Sequence, residues 1–191
     1  MSVTSPIKDT EQIAKIKMFF MKRGRLRDYA LFTVGINTAL RIGDILDLTW
    51  GDVYDFAHGV FRSHLEVHEH KTGKRNCVLL NDSIVEALTR LLDQSNADAG
   101  DFIFKSRKGK NRHITRSRAY SIFINAASEL EGVDKFSCHS LRKTFGYHAM
   151  KAGASGVLLM EVFNHSSFNI TKRYLGIEQQ EKDQLYGKVQ L

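Results

Sequence analysis

One pair of side chains in this sequence could hold a phosphate group. His139 and Arg142 lie three residues apart at the start of a predicted helix, so their side chains share one face. Backbone N–H groups at a helix N-terminus also favour an anion, so this corner could hold a phosphate. An ordinary helix start with an exposed arginine is the competing interpretation.

Arg41 is the second candidate, because it directly follows an almost entirely apolar stretch over residues 26–40. The guanidinium therefore lies against a protein core, where a charge needs a partner. Asp44, one helical turn later, is the predicted partner. A purely structural Arg–Asp pair explains the same pattern.

A lysine and a tyrosine complete the set of reactive groups. Lys71 lies in the turn HKTGK, where Gly73 permits a positive φ, so the ammonium projects from a hairpin tip. His165 falls in a break between two helices, and Tyr174 follows nine residues later on a predicted short helix. The competing interpretations are a solvated lysine and a core tyrosine with a satisfied hydroxyl.

Apolar periodicity and capping residues predict the elements that must position these groups. A small antiparallel sheet is expected between residues 53 and 80, around the turn residues of HKTGK. Helices are predicted elsewhere, over residues 10–23, 26–40, 41–48, 82–92, 116–131, 139–152 and 155–163, with a last short helix around Tyr174. The fold class is therefore α+β, mainly α.

Composition limits the class of protein. The chain has 191 residues, 42% of them hydrophobic, and a formal charge of +7, which predicts one globular domain with an anionic partner. No apolar run reaches the length of a membrane span and the N-terminus lacks a signal peptide, so a cytoplasmic protein is expected. Two cysteines without CxxC spacing indicate neither a disulfide framework nor a zinc site.

The segments TALRIGDIL, HKTGK, HSLRKTF and NHSSFNITKRY, in this order, resemble the catalytic domain of the tyrosine recombinases, also called phage-type integrases. The resemblance spans residues 41–174, about two-thirds of the chain. It implies a fold with a small three-stranded antiparallel sheet and a catalytic set of Arg41, Lys71, His139, Arg142, His165 and Tyr174, supported by Asp44. Asn164 stands where the family usually has glycine, and asparagine tolerates the left-handed conformation expected there.

The resemblance also implies the reaction, in which Tyr174 attacks a DNA phosphodiester and forms a 3′-phosphotyrosyl intermediate. Arg41 and Arg142 would stabilise the negative charge that grows on the non-bridging oxygens. His139 is the candidate general base for the tyrosine, and Lys71 can protonate the leaving 5′-oxygen. No metal is expected. Because the phosphotyrosyl bond conserves the energy for rejoining, neither ATP nor another cofactor is expected.

A basic segment predicts where DNA lies. Residues 105–118 hold seven basic side chains and no acidic one: Lys105, Arg107, Lys108, Lys110, Arg112, Arg116 and Arg118. Thr115 is the predicted cap of the following helix, which leaves two arginines in its first turn. Cations are unfavourable there unless an anion lies beside them, and DNA phosphates would supply it. A solvated basic loop is the alternative.

The predicted strand after Gly59 carries several possible metal ligands. His64, Glu66, His68 and His70 are all even-numbered, so they share one face if the segment is a strand. No cysteine is nearby and one strand would carry every ligand, so no metal site is predicted.

The expected organisation is a single catalytic domain over residues 1–191, with a C-terminal tail over about 177–191. Because 40 residues precede Arg41, the separate N-terminal DNA-clamping domain of the family is expected to be absent, in a natural single-domain protein or a fragment. The implied partners are double-stranded recombination sites, a homotetramer on paired sites and accessory DNA-bending proteins, with the protein nucleoid-associated. A type IB topoisomerase and a non-catalytic DNA-binding regulator are the alternatives, and the intact catalytic set opposes the second.

Overall fold

The helices form where the sequence provides caps and apolar faces. The computed structural model describes residues 4–70, 73–165, 167, 169–171, 183, 186, 187 and 189. The helices among them are α1 (Thr10–Lys22), α2 (Leu26–Thr38), α3 (Ile42–Leu46), α4 (Trp50–Val53), α5 (Asp82–Leu92), α6 (Arg116–Glu129), α7 (Cys138–Lys151) and α8 (Gly156–Val162). All predicted helices up to residue 163 are confirmed. The helix predicted around Tyr174 lies outside the described residues.

Side-chain caps fix several of these helix starts. Asp9 accepts the backbone N–H of Glu11 at α1, and Thr115 Oγ1 accepts that of Arg118 at α6. The four-residue helix α4 was not predicted, because Gly51 and Asp52 indicated a break. A capping box between Thr49 and Asp52 stabilises this single turn instead.

The strands form two separate hairpins. Strand β1 (Tyr54–Asp55) pairs with β2 (Val60–Phe61), and β3 (His64–His68) pairs with β4 (Arg75–Leu79), both antiparallel. The expected three-stranded sheet is therefore wrong for the described residues, which form two two-stranded sheets. The two ladders meet between Arg62 and Ser63: the Arg62 N–H donates to Val53 O and continues the β1–β2 pairing, whereas the carbonyl of Ser63 accepts the Leu80 N–H and continues the β3–β4 pairing.

Helix α2 is the centre of the core, with α1, α5 and α7 packed against it. Phe32 on α2 lies at 5.8 Å from Phe136 and 6.3 Å from Phe123, measured between ring centroids. Gly35 lets α7 approach closely, because a Cβ at this position would lie 2.5 Å from Leu141 Cδ1. Since α7 carries His139 and Arg142, this contact sets how closely these two residues lie to the central helix α2.

A second, smaller apolar cluster joins the end of α2 to α8, with Ala39, Leu159 and Phe163 buried in it. Ala39 ends α2 in the left-handed conformation, at φ 57°. The chain is thereby turned from α2 into Arg41. Within the part of the chain that the structure describes, no helix combines the length and apolar character needed to cross a membrane.

Candidate active site

Four of the six candidate catalytic residues line one cavity. Arg41, His139, Arg142 and His165 surround a space of about 790 Å³ between α3, α7 and the segment after α8. Lys71 and Tyr174, the other two, lie outside the described residues. Residues separated by more than 120 positions in the sequence therefore meet at one place, as the resemblance implied.

Arg142 is held by the carboxyl ends of two helices. Its guanidinium donates to the carbonyl oxygen of Ala39, at the end of α2, and to that of Phe163, at the end of α8, at 2.7 Å for the second. Such terminal carbonyls have no partner within their own helix and carry the negative end of the helix dipole. The two carbonyls hold the Arg142 side chain, which is only 3% exposed, in place. They do so without neutralising its charge.

Arg41 contacts Glu69, a residue that the sequence analysis missed. Arg41 Nη1 donates to Glu69 Oε2 at 2.5 Å, and the side chain of Glu69 is fully buried. The alternation of buried and exposed residues along strand β3 could have indicated that Glu69 is buried. Leu65 and Val67 are buried, so Glu69 two residues later continues the buried face.

The predicted pair between Arg41 and Asp44 is wrong. Arg41 is the N-cap of α3 with extended backbone angles, so the one-turn spacing within a helix does not bring its side chain to Asp44. Asp44 Oδ1 instead accepts the backbone N–H of His70 at 3.1 Å. Asp44 thus anchors the hairpin that leads to Lys71.

The described part of the Lys71 hairpin is fixed against α3 at several points. Besides the contacts of Glu69 and of the His70 backbone, His70 Nε2 lies 2.7 Å from Asp47 Oδ2. The hairpin closes by a hydrogen bond from Glu69 N–H to Lys74 O, and Gly73 has the positive φ that was predicted, 66°. The hairpin segment before Lys71 is therefore held by residues of the Arg41 segment, and the segment after it is bonded to Glu69.

His165 and Arg142 contact the same aromatic ring. The His165 ring stacks on Phe163 with 5.3 Å between centroids, and the Arg142 guanidinium carbon lies 4.9 Å from the centre of that ring. His165 Nδ1 is 2.9 Å from the hydroxyl of buried Thr171. Asn164, before it, has φ 50°, which confirms the left-handed conformation predicted for this helix end.

Desolvation and positive charge set the protonation of both histidines. Desolvation, then the charges of Lys143, Arg142 and Arg41, lower the pKa of His139 below its ordinary value of 6.5. Desolvation, then Arg142 and Arg41, lower the pKa of His165 in the same way. Both imidazoles are therefore mainly neutral near pH 7, the form in which a histidine accepts a proton.

The basic segment divides between two cavities. Arg116 lines the catalytic cavity, whereas Lys105, Arg107, Lys108 and Arg118 line a larger space of about 1130 Å³. Lys110 and Arg112 are exposed in the loop between them. Lys105 Nζ forms an ion pair with Asp101 at 2.7 Å, so it is the least available of the seven for an external anion.

Three further arginines that line the larger cavity were missed: Arg23, Arg25 and Arg27. Arg25 and Arg27 both pair with the one buried carboxylate of Asp28, at 2.8 and 2.9 Å, so two guanidiniums share one negative charge. The run MKRGRLRD, with four basic residues before its acidic one, was the sequence signal.

The possible metal ligands do not form a site. His64, Glu66 and His68 occupy the exposed face of β3, as the alternation predicted. Glu66 pairs with Arg75 on the neighbouring strand at 2.5 Å, and His70 lies beyond the end of the strand. Across the described ranges, no group of three or more His, Cys, Asp or Glu side chains could hold a metal ion.

Comparison with known proteins identifies the family of this chain. The model of the phage integrase family matches residues 8–181. The chain belongs to the phage integrase family. This membership confirms the mainly helical fold class and the predicted class of enzyme, a tyrosine-type site-specific DNA recombinase.

Individual members of the integrase family show how far the similarity extends. The chain is 35% identical over 179 residues to the probable integrase/recombinase YoeC of Bacillus subtilis (strain 168), covering 94% of this chain and 93% of that protein. It is 30% identical over 152 residues to the type 1 fimbriae regulatory protein FimE of Escherichia coli (strain K12), covering 78% of this chain and 73% of that protein.

Solved structures of integrase-family proteins share the fold. XerA recombinase superposes with a TM-score of 0.77 at 19% identity, over 100% of this chain and 66% of that chain. The Tn1549 transposon integrase, in complex with a circular intermediate DNA, superposes with a TM-score of 0.73 at 18% identity, over 98% and 66%. This chain thus spans about two-thirds of each of these structures.

Proposed function

We propose that this chain cuts and rejoins DNA at specific sites through Tyr174. The Tyr174 oxygen attacks the scissile phosphorus and forms a P–O bond, while the bond from phosphorus to the 5′-oxygen breaks. The tyrosine proton passes to His139, and Lys71 gives a proton to the leaving 5′-oxygen. Rejoining is the reverse attack by a 5′-hydroxyl, so the sequence of steps is balanced without an external energy source.

The meeting of Arg41 and Arg142 in one cavity with His139 and His165 is the observation that carries this proposal. A phosphodiester repels nucleophiles because its non-bridging oxygens are negative, and two guanidiniums offset that charge most as it grows in the transition state. The neutral state of His139 supports its role as the base. The glutamate beside Arg41 and the helix ends beside Arg142 support a preorganised phosphate clamp.

The larger cavity is proposed to receive the DNA backbone beside the cleavage point. Its lining includes Arg107, Lys108 and Arg118, together with Arg25 and Arg27. Side chains of this kind bind phosphates without reading sequence, so they fix the position of the duplex. The Tn1549 integrase in a complex with DNA supports a duplex as the partner of this fold.

A tetramer on paired sites is proposed for recombination, with the tail over residues 177–191 docking on a neighbouring subunit. Tyr186 and Val189, two described apolar residues of this tail, are 76% and 57% exposed, which supports a surface that another molecule covers. Accessory DNA-bending proteins and a location on nucleoid DNA in the bacterial cytoplasm belong to the same proposal.

The test is covalent capture. A duplex selected by the Tyr174→Phe protein from a randomised DNA pool is nicked next to the cleavage point, so that the released strand diffuses away. The wild-type protein should form a denaturation-resistant adduct in the presence of EDTA, and Tyr174→Phe should form none. Binding without an adduct would indicate the non-catalytic regulator. Relaxation of supercoiled plasmid of any sequence, without recombination of paired sites, would indicate the topoisomerase.

A further inference from the structure

Gly43 of α3 lies directly under the guanidinium of Arg116. A Cβ at Gly43 would lie 2.4 Å from Arg116 Nη2, 2.9 Å from Cζ and 3.0 Å from Nε. Gly43 is buried and lies within a helix, where glycine is less favourable than alanine. Room for Arg116 is therefore a physical reason for glycine at this position.

Arg116 reaches the catalytic cavity although it belongs to the basic segment. It lines the same space as Arg41, Arg142 and His139. Its side chain is exposed, and no carboxylate among the described residues lies within 4.0 Å of it. By contrast, Arg41 is paired with Glu69. Arg116 thus brings an unneutralised positive charge to the cavity.

Arg118 provides an internal comparison. It lies in the same first turn of α6, it is also exposed, and it lines the larger cavity instead. Both arginines are unfavourably placed at a helix N-terminus unless an anion lies beside them. We therefore expect each arginine to bind a different anion, one in each cavity.

We infer that Arg116 is a third guanidinium that contacts the reacting phosphodiester, and that Gly43 exists in α3 to admit it. The inference rests on the proposed function, since the anion is the phosphate that Arg41 and Arg142 hold. The contact adds a donor to a non-bridging oxygen, where charge grows during attack. Arg118 instead contacts backbone phosphates away from the cleavage point.

The first test replaces one non-bridging oxygen of the scissile phosphate with a methyl group, which removes its charge. On the ordinary phosphate, Arg116→Ala should slow adduct formation at saturating DNA by about 10²-fold. On the methylphosphonate, most of the difference in rate between Arg116→Ala and wild type should disappear. Arg118→Ala should weaken DNA binding and leave the ratio between the two substrates unchanged.

Two results of this substrate comparison would overturn the inference. One is the same loss for Arg116→Ala on both substrates. The other is relief of the deficit only when the neutral group is at a neighbouring phosphate, which would make Arg116 a flanking contact. Gly43→Ala should reproduce the Arg116→Ala phenotype, and the double variant should be no slower than either single one. Multiplying losses in the double variant would show that the glycine serves another purpose.

A second measurement does not depend on cleavage. Inorganic vanadate, a phosphate analogue, should bind the free protein, and Arg116→Ala should weaken its Kd by about tenfold, as expected for one charged hydrogen bond. Arg118→Ala should not change this Kd. If wild type forms no DNA adduct but this pattern holds, the proposed function fails and the anion site stands. If adducts form but Arg116→Ala binds vanadate as wild type does, the inference fails alone.

Discussion

Glu69 Oε2 lies 2.5 Å from Arg41 Nη1, so a fully buried carboxylate positions a guanidinium of the catalytic cavity. Glu69 is also two residues before Lys71, and its backbone N–H closes the hairpin that bears this lysine. One residue therefore links the position of Arg41 to that of the proposed general acid.

We expect Glu69→Gln to destabilise the protein by about 2 kcal/mol, because it leaves the charge of Arg41 without its partner in a mostly buried place. Urea unfolding measures this change. Glu66→Gln is the matched control, since Glu66 lies three residues earlier in β3, faces solvent and pairs with exposed Arg75. The control should leave stability nearly unchanged, because an exposed ion pair contributes little. Equal losses in the two variants would contradict the structural role of Glu69.

Arg41→Lys and Arg142→Lys should each slow cleavage by about 10²-fold or more while DNA affinity changes little, because lysine keeps the charge and loses the planar set of donors. Single-turnover adduct formation gives the rate, and filter binding gives the affinity. Arg142→Lys should also lower stability, since the carbonyls of Ala39 and Phe163 lose a donor. Parallel losses in binding and cleavage would indicate general electrostatic attraction instead.

The fall of the cleavage rate at acidic pH should report the protonation of His139. With its pKa held below 6.5 by desolvation and neighbouring charges, the rate should stay constant from about pH 8 to about 6.5 and fall only below that. Lys143→Gln removes one of those charges and should move the acid limb to higher pH. An NMR titration of the His139 ring in Tyr174→Phe protein checks the assignment directly. A ring pKa at or above 6.5 would exclude the explanation.

The same histidines make stability depend on pH. Their pKa values are lowered in the folded state, so below pH 6.5 the unfolded chain binds more protons. The free energy of unfolding should therefore fall as the pH drops through this range. Urea unfolding at several pH values should show a smaller slope in His139→Gln than in the wild type. A slope that is the same in both proteins would assign the effect to other groups.

Neutralising Arg107, Lys108 and Arg118 together should weaken DNA binding and reduce its salt dependence by roughly one unit of log–log slope per lost phosphate contact. The control carries the same charge change at exposed Lys15, Lys135 and Lys151, which line neither of the two cavities. An equal change of slope in both triple variants would mean that net charge, and not the larger cavity, binds the duplex.

Local signals in the sequence predicted most of the fold. Asp9, Asn81 and Thr115 cap their helices as expected, because a cap depends on residues within one turn. The four candidate catalytic residues that the structure describes were predicted from their motifs, and they line one cavity.

Contacts between distant elements were harder to predict. Arg41 pairs with Glu69, which is 28 residues away in the sequence. The sequence had instead predicted Asp44, the nearest acidic residue in the helix. Two hairpins form instead of one sheet because Arg62 and Ser63, although adjacent in the sequence, pair with different segments, around Val53 and Leu80, and a strand pattern does not specify the partner. Likewise, the spacing of Gly43 and Arg116 says nothing of their contact, since it arises from packing of α3 against α6.

Identification of the residue that bonds to DNA tests the central claim most directly. The adduct formed on the nicked duplex is digested with protease and nuclease, and the remaining nucleotide-modified peptide is sequenced by mass spectrometry. The account predicts one modified residue, Tyr174, with the phosphate joined to the 3′ end of the cut strand. A modification on any other residue, or a phosphate joined to the 5′ end, would contradict it.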